Sequence, residues 1–216
     1  RLIFPAAAVG VAAFADINHW GLLNHFNLPF ALSVLLSIIA LDLVIYLQHV
    51  MVHAVPTLWR LHRVHHADPD FDVTTGARFH PIEIILSMLI KFATIVVLGP
   101  PIVAVIIFEV VLNAMAMFNH ANVKLPLALD RVLRWLIVTP DMHRVHHSVE
   151  DNEANSNFGF NLSIWDRFFG TYINQPRDGH QNMTIGSLWG MLSLPFIGSV
   201  TGYAINRREW SKPDDK

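Results

Sequence analysis

The chain has 216 residues, 53% of them hydrophobic and only 15% charged, with a mean hydropathy of +0.40 and a formal net charge of −2. A soluble domain of this length carries more charge, and here the apolar residues gather in long runs, which is a membrane signature. No Lys/Arg-rich run offers itself to nucleic acid, and the absence of cysteine excludes disulfides, thiolate metal sites and Cys nucleophiles.

In chain order, the sequence opens at Arg1 and is apolar by Leu2, which reads as a trimmed or fragmentary N-terminus without a recognisable signal peptide. Leu2 to Ile17 is apolar but short for a full span, as the end of a longer membrane helix would be. Asp16 to Asn27 is a polar connector. Leu28 to Leu47 is long enough to cross a bilayer of about 30 Å at about 1.5 Å per residue. Gln48 to Pro81 is polar and rich in His, Arg and Asp. Ile82 to Leu98 is apolar, Gly99-Pro100-Pro101 breaks it, and Ile102 to Phe118 returns. After the polar stretch Asn119 to Lys124, Leu125 to Val138 mixes apolar residues with Asp130, Arg131 and Arg134 and reads as an amphipathic helix at the membrane interface. Thr139 to Gln181 is polar. Leu188 to Tyr203 is apolar but interrupted by Gly190, Pro195 and Gly198, so it is not expected to span.

The span count places His49 to His80, and everything after Asn119, on one side of the membrane. Arg60, Arg63, Arg78, Arg131, Arg134 and Arg144 lie on that side, while the Gly-Pro-Pro turn opposite is uncharged, so the positive-inside rule makes it cytoplasmic. His19 and His25 fall on the far side, and His180 is isolated. All three read as residues without a role at a site.

Thirteen histidines need a cause. Nine form clusters on that one face: His49 and His53, then His62, His65 and His66, then His120, then His143, His146 and His147. The pentamer His-Arg-Val-His-His occurs twice, identically. Positions i, i+3 and i+4 share a helix face, so each pentamer can converge three imidazoles. Two such half-sites suggest two metal ions, since nine imidazoles overfill one, and imidazole suits Zn, Cu, Fe and Ni. Thr139-Pro140-Asp141 reads as an N-cap, a Pro at the first helical position and an acid in the first turn. Asp42 lies two helical turns before His49, inside a span, where a buried acid is costly; it is expected to orient a ligand. Glu109 and Asn113 sit one turn apart before His120 and either line a substrate path or orient ligands. His80 and Glu83, at the start of the third span, are either ligands or an interfacial cap.

These motifs resemble the fatty acid hydroxylase superfamily, often called the sterol desaturase family. The likeness runs from about Asp42 to Tyr172. It includes Arg-Phe-His-Pro-Ile-Glu, Phe-Asn-His-Ala-Asn-Val, Thr-Pro-Asp-Met-His-Arg-Val-His-His-Ser, and Ser-Asn-Phe-Gly followed by Trp-Asp-Arg-Phe-Phe-Gly-Thr-Tyr. The resemblance implies that residues 1–216 form a single all-α domain, an integral-membrane bundle of about four spans with a cytoplasmic helical cap carrying the histidines. It implies two iron ions, with zinc acceptable to the same ligands. It also implies O2-dependent hydroxylation or desaturation of a fatty acyl, sterol, carotenoid or related lipid drawn from the bilayer, with electrons from a separate donor protein. The ligands would be His49, His53, His62, His65, His66, His120, His143, His146 and His147. Some members carry a further His four residues before the one matching His120. Here that position is Ala116, so one ligand is missing or is supplied by His80 or His180. Two other classes use similar residues. A metal transporter would need its His and acids along the spans, and here they gather beyond the helix ends. A zinc hydrolase shares the spacing and is separated by metal analysis.

Overall fold

A computed structural model describes residues 3–68 and 71–186. Its regular structure is helical: nine α-helices and no strand among the described residues, with two isolated bridges, Ile137 to Leu162 and Ser148 to Ile185. Four segments are long and apolar enough to cross a membrane: Phe4–His25, Phe30–Ala54, Pro81–Leu98 and Ile102–Asn119. The first is helix α1 (Ile3–Ile17) carried on by a turn and a 3-10 helix at Leu22–His25. The others are α2 (Phe30–Ala54), α4 (Pro81–Leu98) and α5 (Ile102–Asn119).

The spans pack through small residues. Ala8 and Ala12 of α1 meet Leu41 and Ile45 of α2, Ile95 of α4, and Val105 and Phe108 of α5. Lipid tails are as apolar as these side chains, so close backbone approach and dispersion hold such helices together rather than a hydrophobic drive. The two turns at the end away from the histidines touch each other at glycines. Gly21 (φ 98°) and Gly99 (φ 65°) both lie in the left-handed region, and a Cβ on either would strike the other's backbone.

Helix α2 runs on past the apolar stretch that ends at Leu47, and its last two turns lift His49 and His53 clear of the packed core. Val55 ends it, and Pro56 opens α3 (Pro56–His66), which carries the first pentamer. Thr139 caps α7 (Pro140–His146), its side chain accepting from Met142 N, as the Thr-Pro-Asp pattern implied. The helix expected from Leu125 to Val138 is shorter, α6 (Leu127–Leu133), and it is amphipathic. Asp130 and Arg134 face inward, paired with each other, with Thr139 Oγ1 donating to Asp130 at 2.6 Å. Leu127, Val132, Trp135 and Leu136 face outward. Two short helices, α8 (Asp151–Ala154) and α9 (Ile164–Phe169), complete the cap. The segment Leu188 to Tyr203 lies outside the described residues.

Candidate metal centre

All nine clustered histidines are buried, and they come together from α2, α3, α7 and the end of α5. They form two groups. His49, His53, His62, His66 and His146 make one; His65, His120, His143 and His147 make the other. Within each group one nitrogen per ring lies within 4.8 Å of all the rest. The pentamers therefore do not act as separate half-sites, as their repetition suggested. Each divides between the groups: the first and fifth histidines go to one group and the fourth to the other, in opposite senses in α3 and α7. Helical geometry explains this. Successive residues turn by about 100°, so i+3 and i+4 lie on opposite sides of residue i.

The rings are fixed by acceptors on their outer nitrogens. The Nδ1–H of His49 donates to Phe158 O (2.8 Å), that of His65 to Thr75 O (3.0 Å), that of His120 to Ala116 O (2.7 Å) and that of His146 to Ser156 O (2.8 Å). His62 Nδ1–H donates to the Glu83 carboxylate at 2.6 Å. An acceptor at Nδ1 places the proton there and leaves Nε2 with a bare lone pair, the form in which imidazole binds metals. The consequence is clearest in the second group. His120 Nε2 lies 3.1 Å from His65 Nε2, although both rings already hold their proton on Nδ1. Two lone pairs at that distance repel unless a cation lies between them. Two imidazole nitrogens each about 2.0–2.1 Å from one ion are about 3 Å apart. Nearby, His49 Nε2, His62 Nε2 and both nitrogens of His66 and His147 are buried without a hydrogen-bond partner among the described residues. Each such atom costs about 1–3 kcal/mol if left unsatisfied, so the donor set fits a metal pair.

Burial lowers the pKa of His65, His66, His143 and His147 well below the ordinary histidine value, and neighbouring imidazoles lower it further. These rings are neutral at physiological pH, as ligands must be.

A cavity of about 440 Å³ runs from this cluster between the spans. His49, His62, His65 and His143 line one end, and Ile45, Met88, Leu112 and Phe160 are among its apolar walls. Its volume falls within the range of pockets that hold small organic ligands.

Comparison with known proteins agrees with this arrangement. Residues 34–171 match the fatty acid hydroxylase family. The chain belongs to that family. It is 31% identical over 188 residues to the ornithine lipid hydroxylase of Rhizobium tropici, an alignment covering 84% of this chain and 54% of the relative. It is 31% identical over 139 residues to the alkylglycerol monooxygenase of Xenopus tropicalis, with 64% and 30% covered. It is 26% identical over 185 residues to a fatty acid hydroxylase of Lecanicillium, with 78% and 50% covered. The chain thus spans about half, or less, of the length of these curated relatives. No solved structure matches it.

The family motifs hold further site residues that residue type alone did not reveal. Ser156 and Phe158, in the Ser-Asn-Phe-Gly element, give carbonyl oxygens to His146 and His49. Asp166, in the Trp-Asp-Arg element, accepts from Phe158 N (2.7 Å), Gly159 N (2.8 Å) and Thr171 Oγ1 (2.7 Å), and so fixes the strip of backbone that orients His49. Burial pushes its carboxyl up to about 6. Gly76 packs directly on the His120 ring, where a Cβ would come within 2.9 Å of Nδ1.

Other sequence candidates lie elsewhere. Asp42 does not touch a histidine; it accepts from Trp165 Nε1 (2.8 Å) and Leu162 N (3.2 Å), tying α2 to α9. His80 caps α4, accepting from Ile82 N at 3.2 Å, while Glu83 is the residue of that element that reaches the centre. Asp141 pairs with Arg144 at 2.9 Å. Glu109 and Asn113 line the cavity rather than the histidine cluster. Neither His80 nor His180 joins the nine histidines in place of the residue absent at Ala116, whose carbonyl instead orients His120. His19 and His25 are exposed at the opposite end of the spans.

Proposed function

We propose that the nine histidines hold two iron ions and that the chain hydroxylates a lipid in the bilayer with O2. The observation that carries this reading is the pair of facing Nε2 atoms on His65 and His120, both with their proton committed elsewhere, with His65 at one end of a cavity between membrane spans. The relatives act as hydroxylases and monooxygenases, which favours iron and oxygen chemistry over zinc hydrolysis and hydroxylation over desaturation. Within this reading residues 1–216 are one membrane domain and the cap is cytoplasmic, as the six arginines on its side suggest.

The reaction inserts one oxygen atom into a C–H bond and releases the other as water, drawing two protons and two electrons, the electrons from a separate donor protein. Bound iron would supply O2 activation and removal of hydrogen from the unactivated C–H bond. The protein's part is position and environment. Phe158 O, Ser156 O, Thr75 O, Ala116 O and Glu83 hold five rings with Nε2 aimed inward. The cavity between the spans brings the chain to be oxidised against His49, His62, His65 and His143.

Lipids from cells expressing the protein under 18O2 test this. A lipid carrying one 18O atom, present with the active protein and absent with a His65→Ala variant, is expected. Turnover that needs zinc and ignores O2 would refute it.

A further inference from the structure

The end of the cavity away from the histidines is polar. Lys91 Nζ and Glu109 Oε1 are 2.6 Å apart with side chains 7% and 5% exposed. Of the cavity-lining residues, Lys91 is the one on α4 farthest from Glu83, and Glu109 is the one on α5 farthest from His120. At about 1.5 Å per residue, Lys91 lies about 12 Å along α4 from the carboxylate that holds His62. Two more polar groups line the cavity: Asn113 one turn from Glu109, and Gln48, the residue before His49, one turn of α4 nearer the centre than Lys91. Gln48 donates its amide to Ser87 Oγ at 3.0 Å, and its carbonyl oxygen is buried without a hydrogen-bond partner among the described residues. Asn113 donates to Glu109 O at 2.8 Å.

An ion pair inside a membrane span is expensive and marks function more often than packing. Structural use alone would not retain it, because replacing a buried pair by apolar residues of similar size is often neutral or stabilising. A cavity shaped for a bare hydrocarbon tail would be apolar to its end. Here a donor, a carboxylate and an unsatisfied carbonyl oxygen line the same space.

We propose that the cavity takes a lipid chain bearing a hydroxyl or amide group part-way along it, and that Lys91, Glu109 and the carbonyl oxygen of Gln48 recognise that group while a carbon farther along the chain lies at the metal centre. A hydroxyl or amide both donates and accepts, which matches the two acceptors and the one donor on the wall. The proposal rests on the lipid-hydroxylase reading for the reaction, but the recognition is a binding property that needs no turnover.

The test is displacement of a fluorescent fatty acid from iron-loaded protein in detergent, by octadecanoic acid or by its mid-chain hydroxy derivative. The hydroxy chain is expected to displace the probe at about 10-fold lower concentration, the factor one recovered buried hydrogen bond supplies. The Lys91→Met/Glu109→Leu double variant should keep its iron and lose that preference. If the double variant fails to fold, which loss of iron would reveal, Gln48→Met carries the test and should narrow the preference several-fold. Equal displacement by both acids in the unmodified protein, or an undiminished preference in the variants, overturns the proposal. Failure to find an O2-dependent product would sink the oxygenase reading and leave the displacement result standing.

Discussion

The spans and the histidine cap are built on opposite terms. In the most apolar 18 residues of each of the four segments only 17% to 33% are buried within the protein, and side chains such as Leu35, Leu89, Val97 and Val110 point outward. In the cap the buried residues are largely polar: the nine histidines with Asp68, Asp130, Arg134, Asn157 and Asp166. The bilayer supplies what the spans lack, since every backbone group in a helix is satisfied internally. The cap has no such solvent. Its polar atoms must satisfy one another, and those on the inner faces of the rings are left for metal. Spans should therefore tolerate loss of the metal, and the cap should not.

The largest expected effect comes from the ligands. His146→Ala removes one member of the five-ring group and His65→Ala one of the four-ring group. Each should strip much of the metal and abolish product formation while membrane insertion survives, as metal analysis and fractionation would show. Wild-type turnover in either variant would break the comparison.

Acid is the next test. The pKa values of His65, His66, His143 and His147 are lower in the fold than in the unfolded chain, where histidine titrates near 6.5. As pH falls below about 6.5 the unfolded state takes up protons that the fold refuses. The cap's stability is thus full above that value and declines below it, until the buried rings are protonated in turn. Metal release and loss of cap structure should begin together below pH 6.5 while helix content in the spans persists. Retention of all metal well below that point would contradict this.

Glu83→Gln should act less strongly. The amide still accepts from His62 but no longer as an anion, and changes of this kind typically cost about 10–100-fold in metal affinity or activity. Smallest is Asp42→Asn. Its carboxylate holds Leu162 N and the Trp165 indole and no imidazole, so thermal stability should fall by a few degrees with metal content unchanged. A large metal loss there would show that α2 and α9 orient the centre together.

The sequence reveals the spans closely because hydropathy reports environment. Ile82 to Leu98 and Ile102 to Phe118 match α4 and α5 within a residue. The same signal misplaces the end of α2, because the helix continues into polar surroundings and takes His49 and His53 with it. It also overruns the end of the helix expected over Leu125 to Val138, which stops at Leu133. There the charged face turns inward because Asp130, Arg134 and Thr139 satisfy one another. The nine histidines are visible by spacing, and their division between two groups is implicit in 100° per residue. The acceptors that set the tautomers are mostly backbone carbonyls, which any residue can supply and which therefore leave no mark in composition.

The most direct test of the central claim is iron content per chain, measured by mass spectrometry on purified protein expressed with added iron. Two groups of converging imidazoles predict about two ions per chain in the unmodified protein, and a loss in either the His65→Ala or the His146→Ala variant. A content near one ion per chain in the unmodified protein would contradict the two-metal centre.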